Sequence, residues 1–487
     1  MELIGQLADR FKAEFTARII SVVATGLLIV ILARLFSPSD YGLLFLTLSV
    51  LSVAQLFSTL GWAKSAGRYL AEYKEKNSTQ IPHILRISFQ YTLLTTSSVV
   101  LILILFHQDI AVLVDELELA QYLLLGSLYV IAYTFVSYLR TIFQGLERIE
   151  FSALIQVLDR VSQLILVSVF VLLGFGIFGA IGGYILASTF AVLVGMSIVY
   201  FRFYRPHPKS AVESGLSRRI FEYNVPLIAT STASVLDKRV DVILVGFFLG
   251  PMAVSFYVIG RQVTEFIETP VKALGFTIAP SYSSLKTAGN LNRSRRIYET
   301  ALVHSLLLYL PAAAGMIILA EPIVELVFGT DYLGAVVVIQ ILTLYMVLFS
   351  ITKITSQGLD YLGRAKARAV AKAVMAVSNV GLNIVLIPLV GVAGAAIATV
   401  VTFGGYTAAN VYIMYSELSF RPKKIVPDVV IALCITAVMS VFVIVAIRPI
   451  TGLLSIVVGS IVGVAVWAAL SVAVGVLDLD QLKSAFL

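Results

Sequence analysis

The chain is poor in the residues that carry most protein chemistry. Its 487 residues include one cysteine, Cys434, and four histidines. A single cysteine inside an apolar segment excludes an intrachain disulfide and gives no footing for thiol chemistry. His83, His107, His207 and His304 are scattered without metal-ligand spacing, and neither a GxxxxGK[ST] phosphate loop nor an HExxH pair is present. ATP hydrolysis and zinc catalysis therefore have no basis within the chain. Charge is scarce too. Only 13% of residues are Asp, Glu, Lys or Arg against 59% hydrophobic, an apolar excess that a soluble domain of this size could not bury.

What fills the chain is long hydrophobic runs. A helix needs roughly 20 apolar residues to cross a hydrocarbon core of about 30 Å. Fourteen candidate spans meet that length, at about 15–36, 41–62, 84–106, 119–141, 151–174, 177–201, 224–248, 252–277, 298–320, 333–356, 367–388, 391–414, 427–447 and 453–475. The expected fold is an all-α membrane protein of about 14 transmembrane helices. The first span is long and lacks a small-residue cleavage pattern, so it is expected to be retained. The first fourteen residues, with Leu3, Leu7 and Phe11 spaced by four, are expected to form an interfacial helix.

The basic residues test the count, because inner loops accumulate Lys and Arg. With the N-terminus inside, Arg34 and Arg448 fall outside, and Arg160, Lys238, Arg239, Arg261, Lys272 and Lys353 fall within spans. All other Lys and Arg lie on inner segments. The net charge of +7 is thereby explained by topology, and nucleic acid is not needed as a partner. The triplets Asn77-Ser78-Thr79 and Asn292-Arg293-Ser294 fall on the inner side and read as chance.

The sequence also repeats itself. Pro38 and Pro251 are 213 apart, as are QGLE at Gln144 and QGLD at Gln357, while GIFGAIG from Gly176 matches GVAGAAI from Gly391 at an offset of 215. Spans 1–6 and 7–12 thus read as two copies of one six-helix unit, both starting inside. The expected organisation is an interfacial segment 1–14, an N-lobe 15–202, a linker 203–222, a C-lobe 223–415 and two additional spans within 426–476.

Polar residues interrupt the spans in patterns. Arg261, Glu265, Glu268 and Lys272 follow spacings of 4, 3 and 4 and share one helical face. Subtracting 213 gives Leu48, Ser52, Gln55 and Thr59, a related face without charge. Asp237, Lys238, Arg239 and Asp241 sit together in span 7. One charge at mid-bilayer costs about 2.5–3.5 kcal/mol, so these groups must face partners or water. Gln156, Arg160 and Gln163, then Ser350, Lys353 and Gln357, then Lys372, Asn379 and Asn383 form smaller sets. His304 and Asp159 are expected to be satisfied interior groups. Gly182, Gly183, Gly394, Gly404 and Gly405 are expected to permit close helix packing.

LARLFSPSDYGLLF, FQGLERIEFSAL, VDVILVGFFLGPMAVSFYVIGR, ELVFGTDYLGA and LNIVLIPLVGVAGAAIATV, in this order, resemble the polysaccharide-biosynthesis, O-antigen-type flippase family. That family belongs to the multidrug/oligosaccharidyl-lipid/polysaccharide exporter superfamily. The resemblance covers essentially the whole chain. It implies two six-helix lobes in a V, a central cavity, and alternating access for a polyprenyl- or dolichyl-linked oligosaccharide. Arg239 and Asp241 occupy positions where such flippases often carry a basic residue and an Asp.

Such a cargo fits the polar residues. Sugar hydroxyls are costly to strand in hydrocarbon, and a phosphate or pyrophosphate calls for Arg or Lys. Expected substrate-binding residues are Arg261, Lys272 and Arg239 for phosphate, Ser52, Gln55 and Thr59 for sugar, with Lys238, Arg18, Arg160, Lys353, Asn379 and Asn383 in reserve. Asp237, Asp241, Glu265 and Glu268 are candidate sites for a coupling Na+ or H+; no other cofactor is expected. The chain is expected to be a transporter and not an enzyme, to act as a monomer in the cytoplasmic membrane with both termini inside, and to work beside a glycan polymerase or glycosyltransferase. A drug or metabolite antiporter of the same superfamily, a membrane polymerase or ligase, and a transport-dead scaffold are the alternatives. The antiporter would carry a more aromatic cavity around one or two acids.

Overall fold

The computed structural model describes residues 2–206, 211–268, 271, 282 and 290–476, except for the side chains of 2–11, 13 and 225–238. Its regular structure among the described residues is helical. The helices are α1 (Glu2–Leu35), α2 (Pro38–Thr59), α3 (Trp62–Lys76), α4 (Ile81–Leu113), α5 (Leu119–Gly145), α6 (Ile149–Phe170), α7 (Gly176–Val199) and α8 (Leu216–Ile267). They continue with α9 (Leu291–Ile323), α10 (Ala335–Tyr361), α11 (Ala365–Val390), α12 (Val392–Leu418), α13 (Pro422–Ile447) and α14 (Leu453–Ala473).

Twelve stretches among the described residues are long and apolar enough to cross a membrane. Two of them are broken. Ile149–Tyr204, 56 residues long, is interrupted at Gly174 (φ 87°, ψ 11°), and Arg239–Ile267, the last 29 residues of the 52-residue α8, at Gly250 (φ 76°, ψ −179°). At 1.5 Å per residue Ile149–Tyr204 and the whole of α8 are each far longer than a bilayer core of about 30 Å, so each has the length of two crossings, and the described residues accommodate about fourteen. Large apolar side chains such as Leu105, Leu172, Val377 and Ile461 stand exposed on the outside, as lipid as solvent requires. α1 runs unbroken from Glu2 to Leu35.

The chain forms two compact units, Met1–Val254 and Ser255–Leu487. The first packs around Leu70, Tyr73, Ile84, Leu139, Phe143 and Ile155. The second packs around Tyr282, Tyr298, Met346, Ile354 and Met414. The repeat is visible in the backbone. Gly176 (φ 53°, ψ −139°) and its counterpart Gly391 (φ 70°, ψ −149°) take the same conformation ahead of α7 and α12, one that a residue with a Cβ rarely adopts. α5 and α10 close with the same kind of bond, Arg148 N–H donating to Phe143 O and Arg364 N–H to Leu359 O, both at 2.8 Å, though three residues out of register with the QGLE/QGLD match.

Three details differ from the sequence expectation, and a fourth falls partly outside the described residues. α3 is a helix where a plain inner loop was expected, burying Trp62, Ala66, Tyr69 and Tyr73 on one face. Of the span expected to reach 277, the residues through Ile267 form the end of α8 and Val271 is again helical, while 269–270 and 272–281 lie outside the described residues. Tyr309 covers that end, its hydroxyl donating to Ile267 O at 2.7 Å and accepting from Val271 N–H at 3.1 Å. Of the five glycines, a Cβ on Gly183 would lie 2.7 Å from the Val167 backbone and one on Gly394 would strike the Leu386 carbonyl, whereas Gly182 and Gly404 have only a side chain in ordinary contact and Gly405 faces open space. His304 is exposed, with Nδ1 at 2.8 Å from Thr300 O; Asp159 is interior, as expected.

The segment 203–222 is bound to α3 within the first unit. Gln80 donates to Ala211 O at 2.8 Å and accepts from Glu213 N–H at 3.0 Å. Ser65 donates to Ile220 O at 2.9 Å, and Tyr69 to Arg219 O at 3.2 Å. The Arg68 guanidinium lies 4.2 Å from the centre of the Tyr223 ring, a cation–π distance.

Candidate functional site

Within the first unit, α2 to α5 enclose a cavity of about 270 Å³. Ser52, Gln55 and Thr59 line it from α2, one face of that helix as their spacing required. Ala63 and Lys64 of α3, Thr92 of α4, and Thr134, Ser137, Tyr138 and Thr141 of α5 complete the wall. The sequence therefore located one side of the cavity and missed the other. Serines and threonines in apolar helices commonly back-bond to the preceding turn, and Ser52 does so to Leu48 O at 2.6 Å, Thr59 to Leu56 O at 3.0 Å and Thr141 to Ser137 O at 3.0 Å. Tyr138 is engaged with Ser88 Oγ at 2.9 Å and Leu85 O at 3.2 Å.

A second polar group lies between α5, α6 and α7. The Asp159 carboxylate, 2% exposed, accepts from Ser188 Oγ at 2.8 Å and Gln163 Nε2 at 2.9 Å. Arg160 Nε stands 3.8 Å from its other oxygen, while the guanidinium donates to Gln163 Oε1 at 3.0 Å and Tyr133 OH at 2.7 Å. Arg140 donates to Gln156, whose amide donates to Ser21 at 3.0 Å and so ties α6 to α1. Arg160 is thus held by three partners in a satisfied network. Arg18 is exposed on α1.

The charged residues of span 7 lie in α8. Asp241 is 1% exposed and Arg239 half-buried; the side chains of Asp237 and Lys238 lie outside the described residues. In the second unit, Arg261 and Glu265 form the expected pair one turn apart at 3.6 Å, with the Arg261 side chain 15% and the Glu265 side chain 49% exposed. The guanidinium also lies 5.7 Å from the centre of the Tyr345 ring. Glu268, 5% exposed, sits just beyond the helix end. Lys272 lies outside the described residues, and with it the expected Glu268–Lys272 pair. Lys353 is half-buried in α10. Asn379 and Asn383 are buried on α11, where Asn379 donates to Thr402 Oγ1 of α12 at 3.3 Å and Asn383 to Asn379 Oδ1 at 3.0 Å.

Outside the spans, Glu213 has its carboxyl held below the usual range by hydrogen bonds from Tyr73 and then Arg219. The Tyr73 hydroxyl is pushed up, first by burial and then by Glu213.

Residues 31–337 match the family described as polysaccharide biosynthesis protein. The chain is 27% identical over 205 residues to the "Probable low-salt glycan biosynthesis flippase Agl15" of Haloferax volcanii, 42% of this chain and 43% of that protein, so it spans less than half of that relative's length. It is 24% identical over 349 residues to the lipid II flippase MurJ of Bacillus subtilis, covering 65% of this chain and 63% of that one. Among solved structures, an inward closed conformation of the lipid II flippase MurJ superposes with a TM-score of 0.76 at 17% identity over 95% of this chain and 97% of the other. An inward-facing multidrug resistance MATE family transporter, described as a member of the MOP superfamily, gives 0.71 at 15% identity over 82% of this chain and 94% of the other. At these identities the superpositions speak for the fold alone.

Proposed function

The chain belongs to the polysaccharide biosynthesis protein family, and on that footing we propose that it is a flippase for a polyprenyl- or dolichyl-(pyro)phosphate-linked oligosaccharide. The observation that carries the reading is chemical. Helices apolar enough to cross a membrane turn hydroxyls and an amide into a cavity: Ser52, Gln55, Thr59, Thr92, Thr134, Ser137 and Thr141. A sugar crossing hydrocarbon needs such replacements for its water shell. The naming of two relatives as glycan and lipid II flippases supports the same cargo class. The antiporter alternative calls for an aromatic, acid-centred cavity, and Tyr138 is the one aromatic side chain among the residues lining this one.

Transport then requires no bond to be made or broken. Arg261, Lys272 and Arg239 hold the phosphate, Ser52, Gln55 and Thr59 the sugar, and the lipid tail remains in the bilayer as the protein alternates between inward and outward access. Lys238, Arg18, Arg160, Lys353, Asn379 and Asn383 are further candidate contacts. The energy comes from a gradient or from consumption of the product outside, with Asp237, Asp241, Glu265 and Glu268 as the candidate Na+ or H+ sites. Transport indifferent to collapse of both gradients would remove that coupling. The distribution of Lys and Arg supports an orientation with both termini in the cytoplasm; in this reading a glycosyltransferase delivers the cargo there and a polymerase or further transferase receives it outside.

The test is genetic. Deleting the protein should make a lipid-linked glycan accumulate on the inner leaflet, and restoring it should clear the pool. A deletion strain with an unchanged inner pool and normal surface glycan would refute the reading.

A further inference from the structure

Two threonines in the first unit's cavity break a local rule. Thr47 donates to Leu43 O at 2.8 Å, Thr95 to Tyr91 O at 3.0 Å and Thr141 to Ser137 O at 3.0 Å, each four residues back along its helix. Thr92 and Thr134 are 2% and 0% exposed, line the cavity, and have no hydrogen-bond partner for their hydroxyls. A buried hydroxyl that forgoes its own helix carbonyl is held at a free-energy cost unless something in the cavity completes it. The two threonines come from α4 and α5, and Ser52 and Thr59 line the same cavity from α2; Thr96 of α4 shares the unpartnered state but does not line the cavity. Ser52 and Thr59 already donate to Leu48 O and Leu56 O, so they present lone pairs. The two unpartnered hydroxyls have next to no accessible surface and so sit just behind the cavity wall, where a ligand meets them once the threonine side chain turns, while the α2 hydroxyls present acceptors.

A sugar ring carries hydroxyls that both donate and accept, which is the complement of that wall. The cavity is unsuited to the phosphate: among its lining residues Lys64 is the one cation, and it is exposed, whereas a buried phosphate calls for several charge-assisted donors. Its volume of about 270 Å³ lies at the small end of the roughly 300–1,000 Å³ typical of ligand sites, the scale of one ring and not of a whole oligosaccharide. We propose that this cavity is a subsite for a single uncharged monosaccharide unit of the cargo, and that the Thr92 and Thr134 hydroxyls determine which sugar is accepted. The inference rests on the flippase reading above and assigns to the α4–α5 wall a role the sequence did not suggest.

The experiment uses the full-length protein with T92V, T134V, T92S and T134S. Export of lipid-linked glycan is measured in cells lacking the native copy. Thermal unfolding of the purified protein is followed with and without the glycan fraction released by mild acid from the host's lipid extract. The expected result is a loss of export of about 10-fold or more in each valine variant, loss of the glycan-dependent rise in melting temperature, and an unliganded melting temperature equal to or above wild type, because an orphaned hydroxyl has been removed. The serine variants, which keep the hydroxyl, should export and respond to glycan. Valine variants that export like wild type, or serine variants that fail as the valine ones do, would overturn the subsite. If a valine variant does not accumulate, the alanine variant replaces it under the same criteria. Wild-type protein that exports no lipid-linked glycan would sink the flippase reading; wild-type export with unaffected valine variants sinks the subsite alone.

Discussion

The Tyr73 hydroxyl donates to Glu213 Oε2 at 2.7 Å, and Arg219 reaches both, at 2.8 Å to Glu213 Oε1 and 3.1 Å to the Tyr73 oxygen. These contacts fasten the segment 203–222 to α3. Protonating Glu213 would remove the charge that both donors favour. Its carboxyl titrates below its ordinary 4.5, so its contribution is complete above that pH and fades as pH falls through the lowered value. Tyr73 titrates above its ordinary 10.0, so its contribution is complete below that pH and is lost as pH rises through the raised value. The fastening should therefore hold across the neutral range. Y73F and E213Q should speed proteolytic cleavage within 205–215 several-fold at pH 7, with cleavage of wild type rising to the E213Q rate only in acid. Equal cleavage of all three at pH 7 would contradict this.

Asp159 is the anchor of the network between α6 and α7. Substituting it by Ala leaves Arg160 beside an empty place and strands Ser188 and Gln163. Arg160 is partly exposed and keeps Gln163 and Tyr133, so the main cost is the lost acceptor of buried donors, about 1–3 kcal/mol, and D159A should lose stability on that scale, seen as a drop in melting temperature and in membrane abundance. D159N keeps acceptors for Ser188 and Gln163 and should cost less. A D159A protein as stable as wild type would show the network to be dispensable.

The parts that could be read from sequence are those with a short physical period. Ser52, Gln55 and Thr59 fall on one helical face because 3.6 residues make a turn, and the structure gathers them on one cavity wall. The match of Gly176 with Gly391 preserved a backbone conformation, not merely a letter. α3 was missed although Trp62, Ala66, Tyr69 and Tyr73 have helical spacing, because its charges disqualified it as a span and span length was the criterion applied. The ties from Tyr73 to Glu213 and from Ser65 to Ile220 join residues 140 and 155 apart, and no local pattern announces them. Thr92 and Thr134 look like any threonine in an apolar run; their distinction is an unmade hydrogen bond, shared with Thr96, combined with a place in the cavity wall, which Thr96 lacks, and only coordinates reveal it.

Arg261 offers a separation of stability from function. Its partner Glu265 is half exposed, and a pair of that kind contributes about 0–1 kcal/mol. R261A should therefore melt within a few degrees of wild type and reach normal abundance. If its guanidinium holds the cargo phosphate, export should nevertheless be abolished, and K272A should behave alike. Full export by both variants, measured beside abundance on the same membranes, would end the phosphate assignment.

Two glycines should respond oppositely to the same substitution. A Cβ on Gly145 at the end of α5 would collide with the Gly67 backbone of α3, whereas one on Gly405 in α12 meets nothing within 4 Å. Backbone cannot yield as a side chain can, so G145A should cost about 1–3 kcal/mol by overpacking. G405A should be neutral or gain up to about 1 kcal/mol, the helix penalty of glycine relative to alanine. The functional consequence differs as well. Forcing α3 away from α5 displaces Ala63 and Lys64, which wall the cavity opposite Ser137 and Thr141. G145A should then lose glycan export out of proportion to its loss of abundance, while G405A exports normally. Paired melting curves and export measurements decide it, and a G145A protein as stable and active as G405A would mean that α3 and α5 do not need their close approach.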